Sequence, residues 1–245
     1  MLSKVGFFKY IDYHLIQANQ KYIDSLAFGY PQATYFFLKT DSLSVLCAVT
    51  ARHVICYDTA QKRGLRMVRN TKYGPQSLFL YVSTQRSARV FYHPDSLVDL
   101  AVLDQSLPIA SQDNSEGLRW FSRQDILTEP ELDTLTVPRP VFFLGLFPDS
   151  VSSETMVYWF QPGTLDSILN KPLLFHDQRI NFTFKAELLL DLPAKGGISG
   201  SPVFVKSNDK WKILGIINGS NQTSTQCTPA YEILEAIEAR RTREN

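Results

Sequence analysis

Lys195-Gly196-Gly197-Ile198-Ser199-Gly200-Ser201-Pro202-Val203 is the stretch from which the rest of this chain is read. A serine set among glycines and closed by a proline and an apolar run predicts a hydroxyl on a tight, exposed turn. Glycine supplies the positive φ and the close backbone approach that such a turn needs. It also leaves backbone N–H groups free to point at a substrate oxygen. By itself the pattern is compatible with an ordinary structural turn. Its meaning depends on whether a base and an orienting acid stand upstream.

Both types of residue are present. Val49-Thr50-Ala51-Arg52-His53-Val54-Ile55 follows the apolar run Leu43-Ser44-Val45-Leu46-Cys47-Ala48, which has the character of a buried strand. His53 is therefore expected at a strand end, although a single histidine can equally be a satisfied core or surface group. The acid is Asp99, with Val98 before it and Leu100-Ala101-Val102-Leu103 after it. A carboxylate entering so apolar a segment must be paired or hydrogen-bonded, because isolated burial of charge is costly. Asp95, beside Pro94 and Ser96, suits the plainer role of a turn or capping aspartate.

Together these three segments resemble the chymotrypsin-like (trypsin-fold) serine proteases. Thr50-Ala51-Arg52-His53 is similar to the family's base segment, Asp99-Leu100-Ala101-Val102-Leu103 to its acid strand, and Gly197-Ile198-Ser199-Gly200-Ser201-Pro202 to its nucleophile turn. The chain order His, Asp, Ser matches that family and differs from α/β-hydrolases and subtilisins. Finer likenesses point to the HtrA-like and stand-alone prokaryotic branch without a PDZ domain. They are Leu189-Leu190-Asp191-Leu192-Pro193, Val141-Phe142-Phe143-Leu144-Gly145-Leu146-Phe147-Pro148, and Leu214-Gly215-Ile216-Ile217-Asn218. The resemblance covers roughly residues 30–240.

The resemblance implies an all-β fold of two six-stranded antiparallel β-barrels, to which the sequence adds an N-terminal and a C-terminal helix. One trypsin-like protease domain over 1–245 would contain an N-terminal barrel at about 28–110. A connection at about 111–139 would follow, and then the C-terminal barrel and helix at about 140–245. The implied activity is that of a serine endopeptidase working through an acyl-enzyme. His53 is its base, Asp99 the acid that orients it, and Ser199 its nucleophile. The N–H groups of Gly197 and Ser199 form the oxyanion hole. Pro193 and Ala194 line the pocket for the substrate side chain, which is expected to be small or medium and apolar. Asn218 and Gly219 offer backbone to an extended peptide as an added strand. Ile198 stands where the secreted digestive enzymes carry the aspartate that pairs with a newly cut N-terminus, so the resemblance implies no such activation switch. The alternative is a non-catalytic module of the same fold that binds a peptide or a partner protein. A regulatory protein partner is expected in either case.

Composition sets outer bounds. The 245 residues can form one all-β unit. With 25 basic against 24 acidic side chains, nothing points to bulk nucleic-acid binding. Three cysteines, Cys47, Cys56 and Cys227, make no disulfide framework. No segment has the length of a membrane span, and residues 1–10 lack a secretion-type apolar run. These features predict a cytoplasmic protein. No spacing predicts a metal site, and no cofactor is expected.

Along the chain, Phe8, Ile11, Leu15 and Ala18 recur at near-helical spacing and predict a helix over 5–24. Strand-like runs follow at 34–39, 43–50, 78–83, 88–92, 97–104, 141–146, 156–160, 180–190, 202–205 and 211–218. Residues 118–129 are expected to hold a helical turn. Tyr231, Ile233, Leu234 and Ile237 predict a C-terminal helix over 229–240, with Thr228 as its cap.

Overall fold

The computed structural model describes residues 5–11, 33–39, 46–61, 64–71, 74–80, 90–104, 120–146, 158–178, 181–191, 197–220 and 223–244. Strands dominate and fall into two sheets, as the all-β expectation requires. The first sheet contains β1 (Val5–Ile11), β2 (Ala33–Lys39), β3 (Leu46–Thr50), β4 (Gly64–Thr71), β5 (Gly74–Leu80), β6 (Val90–Tyr92), β7 (Ala101–Asp104) and β8 (Phe121–Ser122). Its order is β5-β4-β1-β2-β3-β7-β6, and β8 pairs in parallel with the end of β2. The second contains β9 (Arg139–Leu146), β10 (Tyr158–Asp177), β11 (Phe182–Asp191), β12 (Pro202–Ser207), β13 (Lys210–Ser220) and β14 (Thr225–Pro229). It closes as a six-stranded barrel in the order β10-β11-β14-β13-β12-β9.

Two expectations need correction. The first sheet has eight strands, and among the described residues its end strands β5 and β6 do not pair, so it is not a closed six-stranded barrel. The helix expected over 5–24 is contradicted at its start, because 5–11 form β1, antiparallel to both β2 and β4. Val5-Gly6-Phe7-Phe8-Lys9-Tyr10-Ile11 is rich in aromatic and β-branched residues and carries a glycine. Two neighbouring strands therefore outweigh a weak 3.6-residue spacing. Residues 12–24 lie outside the described residues.

The core explains why the strands stay together. β2 is buried on both faces. Phe36 and Leu38 enter a cluster shared with β9, β12, β13 and the C-terminal helix (Tyr231–Glu244), whereas Tyr35 and Phe37 pack with Ala48, Val54 and Ile55 on the other side. A run of aromatic contacts joins the sheets. Phe36 meets Phe121 at 5.8 Å, Phe121 meets Phe204 at 5.5 Å, and Phe204 stacks on Phe142 at 4.9 Å. Such pairs add about 0.5–1.5 kcal/mol each beyond their buried area. A third cluster, including Val203, Val205, Leu214 and Ile217, fills the barrel.

The segment between the sheets is built into both. After β8 come a 3₁₀ turn (Arg123–Asp125) and a short helix (Glu129–Asp133), near the helical turn expected at 118–129. Leu127 N–H donates to Ile213 O of β13 at 2.9 Å. The short helix opens with a capping box in which Glu131 Oε2 accepts from Thr128 N–H and its hydroxyl, each at 2.9 Å, and Lys212 donates to Glu131 Oε1. Burial alone would raise the Glu131 pKa. The hydrogen bond from Lys212 and those from Thr128 outweigh burial and hold the carboxyl below its ordinary value. A lowered folded-state pKa contributes stability above the unfolded value and loses it as pH falls through the folded one. Glu131→Gln should therefore lower Tm at pH 7 by about 2–4 °C, taking a cap as about 1 kcal/mol. The difference from wild type should shrink on acidification below the ordinary glutamate range. Thermal melts across pH 3–7 check both points.

The C-terminal helix runs Tyr231–Glu244. Thr228 is not its cap: it lies in β14, and its hydroxyl accepts from Asn218 Nδ2 at 2.6 Å. No helix among the described residues is long and apolar enough to cross a membrane. Cys47, Cys56 and Cys227 are not disulfide-bonded.

Candidate active site

His53 is the second residue of a helix (Arg52–Gln61) that begins just past β3, so it stands three residues beyond the strand end expected for it. Val54 and Ile55 anchor that helix in the core of the first sheet. Asp99 sits at the centre of a three-residue turn in which Leu100 N–H donates to Val98 O at 2.9 Å. Asp95 takes the plainer role expected of it, with Leu97 N–H on its Oδ1 at 2.9 Å.

The structure brings His53 and Asp99 together through two contacts. His53 N–H donates to Asp99 Oδ1 at 2.8 Å, and His53 Nδ1 lies 2.7 Å from Asp99 Oδ2. Asp99 is fully buried, while the His53 side chain remains 18% exposed. A buried carboxylate with two acceptor oxygens requires donors at both. Here the helix start supplies one and the ring supplies the other. The ring proton therefore belongs on Nδ1, which makes Nε2 the basic nitrogen of the neutral ring.

Ser199 lies on the turn that its glycines predicted. Ser201 N–H donates to Ile198 O at 2.9 Å, and Gly200 has φ +84°, the value of the third residue in a type II turn. Both sheets hold this turn. Gly200 N–H donates to Ile217 O of β13 at 2.7 Å, and Thr34 N–H of β2 donates to Ser199 O at 2.8 Å. Thr34 Oγ1 donates to Gly197 O at 3.2 Å, and Thr50 Oγ1 to Thr34 O at 2.8 Å. Ile198 is buried in the barrel core and anchors the turn from inside. The turn thus rests on Thr34 of β2, which Thr50 at the end of β3, the strand leading into His53, holds in turn. Threonines 34 and 50 were missed from the sequence, because their role is a long-range contact with no local pattern.

A Cβ on Gly200 would run into Thr34 O and Thr50 Oγ1, with Ala51 N only 3.2 Å away. Positive φ adds about 1–2 kcal/mol for any L side chain. Gly200→Ala should therefore lower Tm by several degrees and uncouple the Ser199 turn from β2. Calorimetry, with amide exchange at Thr34, measures both effects.

Among the remaining candidates, Gly197 also has positive φ, at 95°. Asn218 is the extra residue of a bulge between the pairs Ile217↔Cys227 and Gly219↔Gln226. Its side chain is buried and committed to Thr228, so only its backbone is left to meet a peptide. Pro193 and Ala194 lie outside the described residues. Burial pushes the Cys47 thiol up to about 12 and the Cys227 thiol higher still, so neither offers a thiolate nucleophile.

No family model matches the chain, and no curated protein matches it. Among solved structures it is similar to the Rv3671c protease of M. tuberculosis. The active form superposes with a TM-score of 0.56 at 14% identity, covering 97% of this chain and 80% of that one. The inactive form gives 0.52 at 14%, covering 97% and 89%. At this identity the likeness is one of fold: the chain is built on a protease fold.

Proposed function

We propose that this protein is a serine endopeptidase that cuts peptide bonds with a Ser199–His53–Asp99 triad. One observation carries the proposal: the buried Asp99 carboxylate holds His53 by both its backbone N–H and its ring, while the Ser199 turn is docked on Thr34 of β2, whose carbonyl accepts from Thr50 of β3, the strand that leads to His53. A serine hydroxyl is a weak nucleophile at neutral pH and needs a base within reach. With its proton on Nδ1, His53 has Nε2 available to take the Ser199 proton as the hydroxyl attacks the carbonyl carbon. Asp99 keeps the tautomer and stabilises the imidazolium that forms. The N–H groups of Gly197 and Ser199 take the oxyanion, a contribution of about 3–4 kcal/mol per donor in such sites. His53 then passes its proton to the leaving amine, and water attacks the acyl-enzyme by the same route. The backbone of Asn218 and Gly219 pairs with the substrate strand, and Pro193 and Ala194 line the pocket for a small or medium apolar side chain.

We read the motifs as most similar to the HtrA-like and stand-alone prokaryotic branch, and propose that the enzyme is of that kind. We read the enzyme as one that works in the cytoplasm, with which cysteines that form no disulfide agree, and as one controlled by a partner protein. Labelling with a fluorophosphonate probe tests the core of the proposal. Wild type should label at Ser199, and Ser199→Ala should not. Absence of labelling and of cleavage, with candidate partners added, would support a non-catalytic binding module instead. Sequencing cut sites in a peptide library would then define the preferred side chain.

A further inference from the structure

A second charged cluster lies outside the triad, where the turn bearing Asp99 meets the barrel and the C-terminal helix. Its centre is Lys185 of β11. The Lys185 N–H donates to Leu97 O at 2.8 Å, and residue 185 bridges Val98, next to Asp99. The Lys185 Nζ lies 3.3 Å from each of Asp95 Oδ2, Glu187 Oε1 and Glu232 Oε1. Glu232 is almost fully buried at the start of the C-terminal helix, and its Oε2 lies 2.9 Å from His93 Nε2, off an ideal donor line. His93 closes the circuit, because its Nδ1 accepts from Asp95 N–H at 3.1 Å and its own N–H meets Leu100 O at 3.4 Å. Tyr231 adds its hydroxyl to Glu187 at 2.8 Å.

His93, Glu232 and Glu235 are a donor set that can also suit a cation. Two features argue against that use. An Nδ1 that accepts an N–H leaves the neutral ring's proton on Nε2, so that nitrogen offers no lone pair. The Lys185 ammonium already meets the Glu232 carboxylate. Burial pulls its pKa down, but Glu232 and Glu187 more than offset this and keep it charged.

We infer that Lys185, itself held by Glu232, is a positioning residue for Asp99: from the second barrel it anchors the turn that presents the carboxylate to His53. Each end of the 93–100 segment is tied. Lys185 holds Leu97 through its main chain and Asp95 through its side chain, and His93 joins the segment's start to Leu100. A buried carboxylate must sit within a few tenths of an ångström of two donors on another element. A turn closed only on itself does not secure that relation between elements, whereas a charged tether from the facing barrel does. The consequence for catalysis rests on the protease proposal above; the consequence for the His53–Asp99 hydrogen bond does not.

The experiment uses the full chain with three variants: Lys185→Met, Lys185→Arg and Asp95→Asn. Asp95→Asn retains an oxygen for Leu97 N–H but loses the charge facing Lys185, so it tests the tether if Lys185→Met fails to fold. The first readout is the downfield proton resonance of His53 Nδ1–H; the second is kcat and KM on a peptide substrate. Lys185→Met should broaden or shift the resonance and lower kcat about 10–100-fold, with KM within about twofold, the pattern of a misplaced catalytic group. Asp95→Asn should do the same more weakly, and Lys185→Arg should recover most of the loss. Wild-type resonance and kcat in folded Lys185→Met would overturn the assignment; where that variant does not fold, the same result in Asp95→Asn would do so. Lys206→Met, at an exposed pair with Asp209, is the charge control, and an equal loss there would also overturn it. If wild type cleaves nothing and Ser199 does not label, the protease proposal fails, while the resonance still decides the tether.

Discussion

Under the proposed mechanism, Ser199→Ala should abolish peptide-bond cleavage and leave the fold intact. The substitution removes one hydroxyl from a half-buried turn whose hold on both sheets runs through backbone groups: Ser199 O, Gly200 N–H and Ser201 O. The stability change should therefore stay within roughly 0.5 kcal/mol. The chemistry loses its nucleophile, so only binding and the oxyanion donors remain. That leaves about 10³–10⁴-fold over water, a fall on the order of 10⁶ in kcat. His53→Ala should match it closely, because the members of a triad act as a unit. Equal rates for wild type and Ser199→Ala on a denatured protein substrate would remove Ser199 from the mechanism.

Asp99→Asn is the second large effect, and its cause can be read from two distances. Asp99 accepts His53 N–H on one oxygen at 2.8 Å and faces the ring Nδ1 with the other at 2.7 Å. An asparagine has one acceptor oxygen and one donor NH₂. If the oxygen keeps the backbone N–H, the NH₂ faces Nδ1 and forces the ring proton onto Nε2. The base is then blocked at the atom that must take the serine proton. kcat should fall about 10⁴-fold, as the same change does in the Ser-His-Asp template, with KM little altered. If the amide turns the other way, the helix N–H meets a donor and the His53 helix loosens. Amide exchange at His53, measured beside the rates, separates these two outcomes. A kcat within tenfold of wild type would mean that Asp99 does not orient the base.

The local elements legible in the sequence were those whose burial follows a simple pattern. β12, β13 and the C-terminal helix lie close to their expected places, because each has an apolar run of the right period next to a turn residue. β1 was misread as a helix because four spaced apolar residues carry little weight against pairing with two strands. β14 and β4 were not anticipated: Thr225-Gln226-Cys227-Thr228-Pro229 and the Arg-rich run Gly64–Thr71 have no apolar alternation, and register with neighbours makes them strands. The helix Arg52–Gln61 was missed because its opening residues continue the β-branched run of β3.

What the sequence by itself determined was the set of chemical parts and their local backbone. Glycines at 197 and 200 dictate a positive-φ turn at Ser199, and an aspartate entering an apolar run dictates that some donor must meet it. Which donor, and from where, was decided only by the tertiary structure. His53 is 46 residues from Asp99 in the chain, yet it supplies both donors. Thr34, 163 residues from Gly197, holds the Ser199 turn. Lys185, paired with Glu232, meets Asp95 on the segment that carries Asp99, from elements far away in the chain. Propensity and periodicity act over a few residues, whereas a buried charge is satisfied by whatever the packing of the two sheets places against it.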